Sequence, residues 1–334
     1  MNPKRRIIPV FIPNAGCIHN CVFCDQRHIS GEATPAGSDD VRAAAALADT
    51  SHPTEIALYG GSFTALPVCT QNELLLAAQP FFDKNTQHSI RVSTRPDCID
   101  EETAARLKSH GVATVELGAQ SMCDDVLIKS RRGHTASDVL RASAVIKNAG
   151  LSLILQMMTG LPGDTREKSR HTAERFIEIA PDGVRIYPTV VVRGTELFEM
   201  WRRGEYAEHT VEDAVSLCAE LCAMFEDAKI PVIRLGLNPT VQLSAGYAVA
   251  GAYHPALGEL VYSRMYLNSA IKILEDAHMA HGSDVILSVT KGRASVMIGQ
   301  NRHNIGVLTK KFALRSIKVV ETNLAPGFIK ITLK

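Results

Sequence analysis

Residues 7–24 read IIPVFIPNAGCIHNCVFC, a short apolar run followed by three cysteines within the eight residues from Cys17 to Cys24. The run has the length and the Val/Ile content of a buried strand. Five similar runs follow: EIALY (55–59), SIRVST (89–94), ATVELG (113–118), LSLILQMM (151–158) and GVRIYP (183–188). The segments between them read as helices. Asp100 is placed to cap EETAARLKSH, with Gly111 just past its end. Thr135 with Asp138 makes a capping box, and Gly150 closes that helix. A strand resumes within about two residues of each glycine, the tight link of a repeating α/β unit. The pattern predicts an α/β fold whose parallel strands end on one face, where ligand sites form.

Unusual residues follow the strands, as that topology requires. The three cysteines follow the first strand and Gly60-Gly61-Ser62 the second. Arg95-Pro96-Asp97 follow the third, Gln120-Ser121 the fourth and Gly160-Leu161-Pro162-Gly163 the fifth. Past residue 200 the rhythm changes. Helical patterns cover 211–229 and about 259–278, separated by a Gly/Tyr/His-containing loop (244–258). Residues 283–334 read as a separate unit: strand 284–290, strand 294–298, helix 303–313, strand 316–320 and strand 327–333. The expected domains are a partial barrel over 1–200, a helical extension over 201–280 and a small basic α/β unit over 281–334.

Composition limits the alternatives. Hydrophobic residues make up 46% and charged residues 21%, which excludes a mostly disordered or collagen-like chain. The net charge of +1 gives no global pull towards nucleic acid or membrane, but it is unevenly spread. Residues 281–334 hold nine Lys/Arg and two acids, a net of about +7 against about −6 for the rest. No run reaches the roughly 18 apolar residues of a spanning helix. Lys4, Arg5 and Arg6 before the first apolar run imitate an export signal, but the run is short and carries Pro9 and Pro13. A cytoplasmic protein is expected, in which the eight cysteines serve as thiols or metal ligands rather than disulfides.

The loop Cys17-Ile-His-Asn-Cys21-Val-Phe-Cys24 is the most specific feature. Three thiolates leave one iron of a four-iron cluster open, since such a cluster takes four cysteines when fully protein-bound. Two other readings fit the residues alone: buried structural cysteines, or a zinc site completed by His19 or His28. The CxxxCxxC spacing, with Phe23 before the last cysteine and a strand before the first, resembles the signature of the radical SAM superfamily. The resemblance implies a [4Fe-4S] cluster on Cys17, Cys21 and Cys24, with S-adenosylmethionine on the open iron. It also implies reductive cleavage to a 5′-deoxyadenosyl radical and an external electron donor such as a flavodoxin or ferredoxin. The fold it implies is a partial (β/α)6 TIM-type barrel.

Further motifs extend the likeness. Gly60-Gly61-Ser62 is either a tight turn or the family's Gly-Gly motif at the methionyl amino group. The family's third residue is Glu, so here the contact would rest on backbone carbonyls. Val115-Glu116-Leu117-Gly118-Ala119-Gln120-Ser121 with Arg131-Arg132-Gly133-His134 is similar to a stretch shared by the Elongator catalytic subunit and oxygen-independent coproporphyrinogen oxidase families. That similarity implies S-adenosylmethionine contacts from Gln120 and Arg132, with Ser93 as a further contact. Arg95 and Asp97 fit either substrate binding or an internal salt bridge. They join His134 and Tyr187 as candidate substrate residues.

With 61–67 (GSFTALP), the whole resembles most closely the Elongator radical domain over roughly residues 5–265. That family modifies wobble uridine in tRNA, with an acetyltransferase domain that is not expected in the remaining residues here. The absence of a second cysteine cluster disfavours subfamilies with auxiliary clusters.

In the basic C-terminal unit, Ile298-Gly299-Gln300-Asn301-Arg302-His303-Asn304-Ile305 partly matches the Ile-Gly-x-x-Gly-x-x-Ile loop with which a KH module clamps a nucleic-acid backbone. Arg302 stands at the second glycine. A KH-like unit would bind RNA through Gly299, Arg302, Lys310 and Lys311. The expectation is therefore a radical SAM enzyme acting on tRNA or another RNA. The alternatives are a small-metabolite substrate such as a tetrapyrrole, or a non-catalytic zinc-containing RNA-binding protein.

Overall fold

A computed structural model describes residues 6–13, 15–17, 19–32, 34–48, 52–82, 87–278, 281–325 and 327–333. Lys4 and Arg5 of the N-terminal basic run lie outside these. Six strands form where apolar runs predict them: β1 (Arg6–Phe11), β2 (Thr54–Tyr59), β3 (Ser89–Thr94), β4 (Val112–Gln120), β5 (Ser152–Thr159) and β6 (Gly183–Pro188). β7 (Val190–Val192) leaves the sheet, and β8 (Val232–Leu235) returns to it as a seventh strand. The order is β1-β2-β3-β4-β5-β6-β8, every pair parallel. The sheet curls into a partial TIM-type barrel with helices in its crossovers.

The helix boundaries follow local chemistry. Asp100 accepts from the Thr103 N–H at the start of Glu101–Ser109. Thr135 and Asp138 close a reciprocal capping box on Ala136–Asn148, and Thr165 caps Arg166–Ile179. Gly111 and Gly150 take φ values of +84° and +69°, so each helix ends where only glycine turns without strain.

Strand alternation divides the sheet into two unlike faces. Ile56, Leu58, Val92, Val115, Leu117, Leu153, Leu155, Val184 and Ile186 are at most 1% exposed and form one face. Burying each contributes on the order of 2 kcal/mol. The opposite face carries Glu55 and Tyr59 on β2, Arg91 and Ser93 on β3, and Thr114, Glu116 and Gln120 on β4. Gln156 on β5 and Arg185 and Tyr187 on β6 extend it. The strands are thus apolar on one side only. β7 pairs antiparallel with β9 (Ala248–Gly251) as a separate two-stranded ribbon.

The chain divides into two compact units, Met1–Thr210 with Met224–Pro255, and Val211–Ala223 with Ala256–Lys334. In the second, β10 (Asp284–Thr290), β11 (Ser316–Thr322) and β12 (Ile329–Leu333) form a sheet ordered β11-β10-β12. β10 runs parallel to β11 and antiparallel to β12. Tyr266, Leu267, Ala270 and Leu274 of the helix Leu257–Asp276 share a core with Val285, Leu287, Val289, Met297 and Leu308. Residues 294–298, expected as a strand, are instead the short helix Ala294–Ile298. A five-residue apolar run has no period that separates the two states, and Gly299 at φ +76° ends it. The Gly299–Arg302 turn therefore joins two helices.

Candidate active site

The cysteine loop leaves β1 and is held by backbone bonds from three directions. Ser62 N donates to Ala15 O at 2.9 Å, Val22 N to Ser130 O at 3.2 Å, and Leu197 N to Val22 O at 2.7 Å. The glycines make the first contact sterically possible. A Cβ on Gly61 would stand 2.2 Å from Ala15 O, and one on Gly16 2.2 Å from Ser62 O. The Gly-Gly segment is thus pressed onto the loop that bears the cysteines. Phe23 is buried with Val22, Val126, Leu161, Val191, Leu197 and Tyr206, and Cys21 and Cys24 pack against this cluster. That packing shields two of the thiols from water.

Cys17, Cys21 and Cys24 are free thiols. Burial, then the nearby Cys21, raises the pKa of Cys17. The same two causes push Cys24 up to about 12. Two thiols that resist ionisation, beside a third, suit a cationic group that would ionise them on binding. Arg132 Nη1 donates to Cys21 Sγ at 3.2 Å and Gln26 Nε2 to Cys24 Sγ at 3.5 Å.

His19 and His28 do not join the thiols. His19 packs on Gly133, where a Cβ would lie 2.5 Å from its Nε2. His28 bonds Asp25 Oδ2 through Nδ1 at 2.6 Å and stacks on Tyr247. Among the described residues no three His, Cys, Asp or Glu side chains converge on a single ion.

Around Arg132, which touches Cys21, lie buried polar atoms without partners, and Ser93 on β3 carries another. Ser93 Oγ, Gln120 Oε1, Arg132 Nε and His134 Nδ1 are all in this state. Such groups are rare unless a ligand satisfies them. Gln120 adopts φ +68°, a conformation that non-glycine residues seldom hold. Gly118 keeps the approach open, since a Cβ there would stand 3.1 Å from Gln120 Nε2 and 3.4 Å from Arg132 Nη2. Burial, then Arg132, pushes the His134 pKa down to about 4, so the ring is neutral at pH 7. Its Nε2 lies 3.1 Å from Ala119 O, which can only accept. Nε2 therefore carries the proton and Nδ1 presents a lone pair. The chemistry of this set — acceptors, a guanidinium and three thiols — fits an amino-acid-bearing cofactor on a cluster.

Ser62 is buried, its Oγ 3.0 Å from Thr94 Oγ1 and accepting from Arg95 N at 3.3 Å. Gly60, at φ +98°, packs against Pro13. Arg95 and Asp97 form an internal salt bridge, with Arg95 Nε 3.0 Å from Asp97 Oδ1. Arg95 Nη2 also donates to the Arg132 carbonyl and so braces the residue that reaches Cys21.

Deeper in the barrel is a charged network that the apolar reading of the strands misses. Glu116, 1% exposed, is its hub. Its Oε1 accepts from Arg91 Nη1 at 2.6 Å, Arg185 Nη2 at 2.7 Å and Tyr59 OH at 3.1 Å, and its Oε2 from Gln156 Nε2 at 2.8 Å. Glu55 takes the other side of Arg91 at 2.6 Å and the Thr114 hydroxyl at 2.8 Å. Tyr187 is half-buried, and Arg185 Nη1 donates to its hydroxyl at 3.3 Å. The signal available in the sequence is the polar residue at every second strand position: Arg91/Ser93, Thr114/Glu116 and Arg185/Tyr187.

The nucleic-acid candidates lie in the second unit. Arg302 is exposed at φ +59° before the helix His303–Phe312, whose last turn carries Lys310 and Lys311. Lys311 pairs with Glu275 at 2.8 Å. Asn304 is 2% exposed and donates to Ser263 O and Met297 O at 3.0 and 3.1 Å. It staples the turn, and a Cβ on Gly299 would come within 3.0 Å of it.

The chain matches the Radical SAM superfamily over residues 11–176 and the Radical_SAM C-terminal domain over 181–267. It is 29% identical over 243 residues to the tRNA uridine(34) acetyltransferase of Methanocaldococcus jannaschii, covering 66% of this chain and 44% of that protein. It is 26% identical over 231 residues to Elongator complex protein 3 of Bos taurus, covering 63% and 41%. An N-terminally truncated archaeal Elp3 from Methanocaldococcus infernus superposes with a TM-score of 0.60 at 24% identity, covering 84% of this chain and 65% of that one. Coproporphyrinogen III oxidase (HemN) from Escherichia coli does so with a TM-score of 0.50 at 17% identity, covering 68% and 54%. These two superpositions show the partial-barrel fold. The chain spans less than half the length of the curated relatives it matches.

Proposed function

The chain belongs to the radical SAM superfamily, and from that premise we propose that its substrate is an RNA. The superfamily works with a [4Fe-4S] cluster and S-adenosylmethionine, which together supply reductive carbon–sulfur cleavage and a 5′-deoxyadenosyl radical for hydrogen abstraction. In this reading Cys17, Cys21 and Cys24 hold the cluster. Gln120, Arg132, Ser93 and the backbone of Gly60, Gly61 and Ser62 orient S-adenosylmethionine. Arg132 serves both groups, since it reaches Cys21 Sγ and leaves Nε unspent. Phe23 and its apolar neighbours keep water from the thiols. His134 offers its Nδ1 lone pair to the bound molecules, and Tyr187 faces the barrel interior where substrate would enter. Arg95 and Asp97 act by positioning Arg132.

The observation that carries the RNA assignment is the turn Gly299–Arg302 between two helices within residues 281–334, a segment of net charge about +7. A glycine turn between helices brings backbone N–H groups close to a phosphodiester, and Arg302 and Lys310 supply charge. The relatives named as tRNA uridine(34) acetyltransferases support tRNA in particular. A cytoplasmic location and a flavodoxin or ferredoxin as reductant complete the reading. No helix among the described residues is long and apolar enough to cross a membrane.

The test is salt-dependent binding of tRNA by anaerobically reconstituted protein. Wild type should lose affinity steeply as salt rises. Arg302→Glu with Lys310→Glu should bind more weakly and flatten the log–log slope by about 1 per lost phosphate contact. Equal affinity and slope in wild type and variant would remove this turn from substrate binding. It would also favour a small metabolite such as a tetrapyrrole.

A further inference from the structure

Arg185 on β6 and Arg234 on β8 are direct register partners. Partners on adjacent parallel strands project to the same face, which for Arg185 is the barrel interior. Like charges at paired positions of adjacent strands are destabilising unless an anion offsets them, and the Arg185 guanidinium turns away towards Glu116 and Tyr59. The interior acids do not balance both. Glu55 is held by Arg91, Glu116 by Arg91 and Arg185, and Asp97 by Arg95. Arg234 makes no ion pair among the described residues, and only its Nε is bonded, to Gly236 O at 3.1 Å. Arg185 in turn has a buried Nε with no partner. Tyr187 lies beside both, its hydroxyl 3.3 Å from Arg185 Nη1 and within reach of the Arg234 charge.

We propose that Arg185, Arg234 and Tyr187 form an oxyanion-binding site inside the barrel that takes a phosphate or carboxylate group of the substrate. Guanidiniums suit such groups because their donors match the spacing of paired oxygens. Glu116 holds Arg185 by one edge and leaves Nε for the ligand. Arg234 contributes its terminal nitrogens and the charge that Glu116 does not cancel. The site rests on the substrate reading above. An RNA would bring a phosphodiester to it, and a tetrapyrrole would bring its carboxylates.

The test uses reconstituted wild type, Arg234→Gln and Arg234→Lys, with inorganic pyrophosphate and succinate as separate probes. Calorimetry should give wild type a measurable Kd for at least one probe. The Gln variant should bind that probe at least about tenfold more weakly, the loss of one charge-assisted contact. The Lys variant should recover part of it. Without probe, the Gln variant should unfold at or above the wild-type temperature, because a repulsive pair has been relieved. Binding by pyrophosphate alone assigns the site to a phosphate and agrees with an RNA substrate. Binding by succinate alone keeps the anion site and removes its support from the RNA reading. Equal affinity in wild type and the Gln variant, or no binding of either probe to wild type, overturns the proposal. So does a Gln variant that melts well below wild type.

Discussion

Replacing Cys21 by Ala is expected to leave the purified chain without its iron. Three thiols are the whole protein donor set in this loop, so removing one leaves two, too few to retain a four-iron cluster. Cys21 is also the acceptor for Arg132 Nη1, and its loss leaves that guanidinium beside the site without its sulfur partner. The measurement is iron and sulfide per chain after anaerobic reconstitution, with the broad absorbance near ~400 nm of iron–sulfur proteins as the optical check. Cys69→Ala is the control, since Cys69 is exposed on the helix Val68–Ala77, outside the cysteine loop. Wild type and the control should load alike, and Cys21→Ala should fall to background. Iron and sulfide in Cys21→Ala equal to wild type would show that the ligands lie elsewhere.

The second large effect concerns stability rather than the cluster. Glu116→Ala should destabilise the barrel unit by about 3–5 kcal/mol, the cost of leaving buried charges without their partner. Glu116 anchors Arg91 and Arg185, whose side chains are only 11% and 14% exposed. Arg91 keeps Glu55, so the larger share of the loss falls on Arg185. Glu116→Gln combined with Arg185→Met should recover part of the loss, because it removes both charges together. Urea unfolding followed by tryptophan emission isolates the right unit. The chain has one tryptophan, Trp201, and it lies in the same compact unit as Glu116. A Glu116→Ala midpoint equal to wild type would mean that the network is dispensable.

How much of this was readable in the sequence depends on how local each signal is. The six barrel strands and their caps are local, and they formed at the expected positions: Asp100 and Thr135 with Asp138 each cap a helix. The cysteine loop is equally local, as three ligands within eight residues declare themselves. The Glu116 network is not. Its partners Tyr59, Arg91, Gln156 and Arg185 come from four other strands, and only sheet closure brings them together. Read one strand at a time, Arg91 and Arg185 are merely polar interruptions in apolar runs.

β8 went unread because VIRL is four residues with an arginine in it, too short to carry a period. Ala294–Ile298 failed for the same reason in the opposite sense, since its apolar run suits either state.

The most direct test of the whole account is the formation of 5′-deoxyadenosine. Reconstituted protein, reduced with dithionite, is incubated with S-adenosylmethionine, with and without tRNA. 5′-Deoxyadenosine should accumulate, tRNA should increase it, and Cys21→Ala should produce none. A protein with full iron and sulfide that forms no 5′-deoxyadenosine under either condition would contradict it.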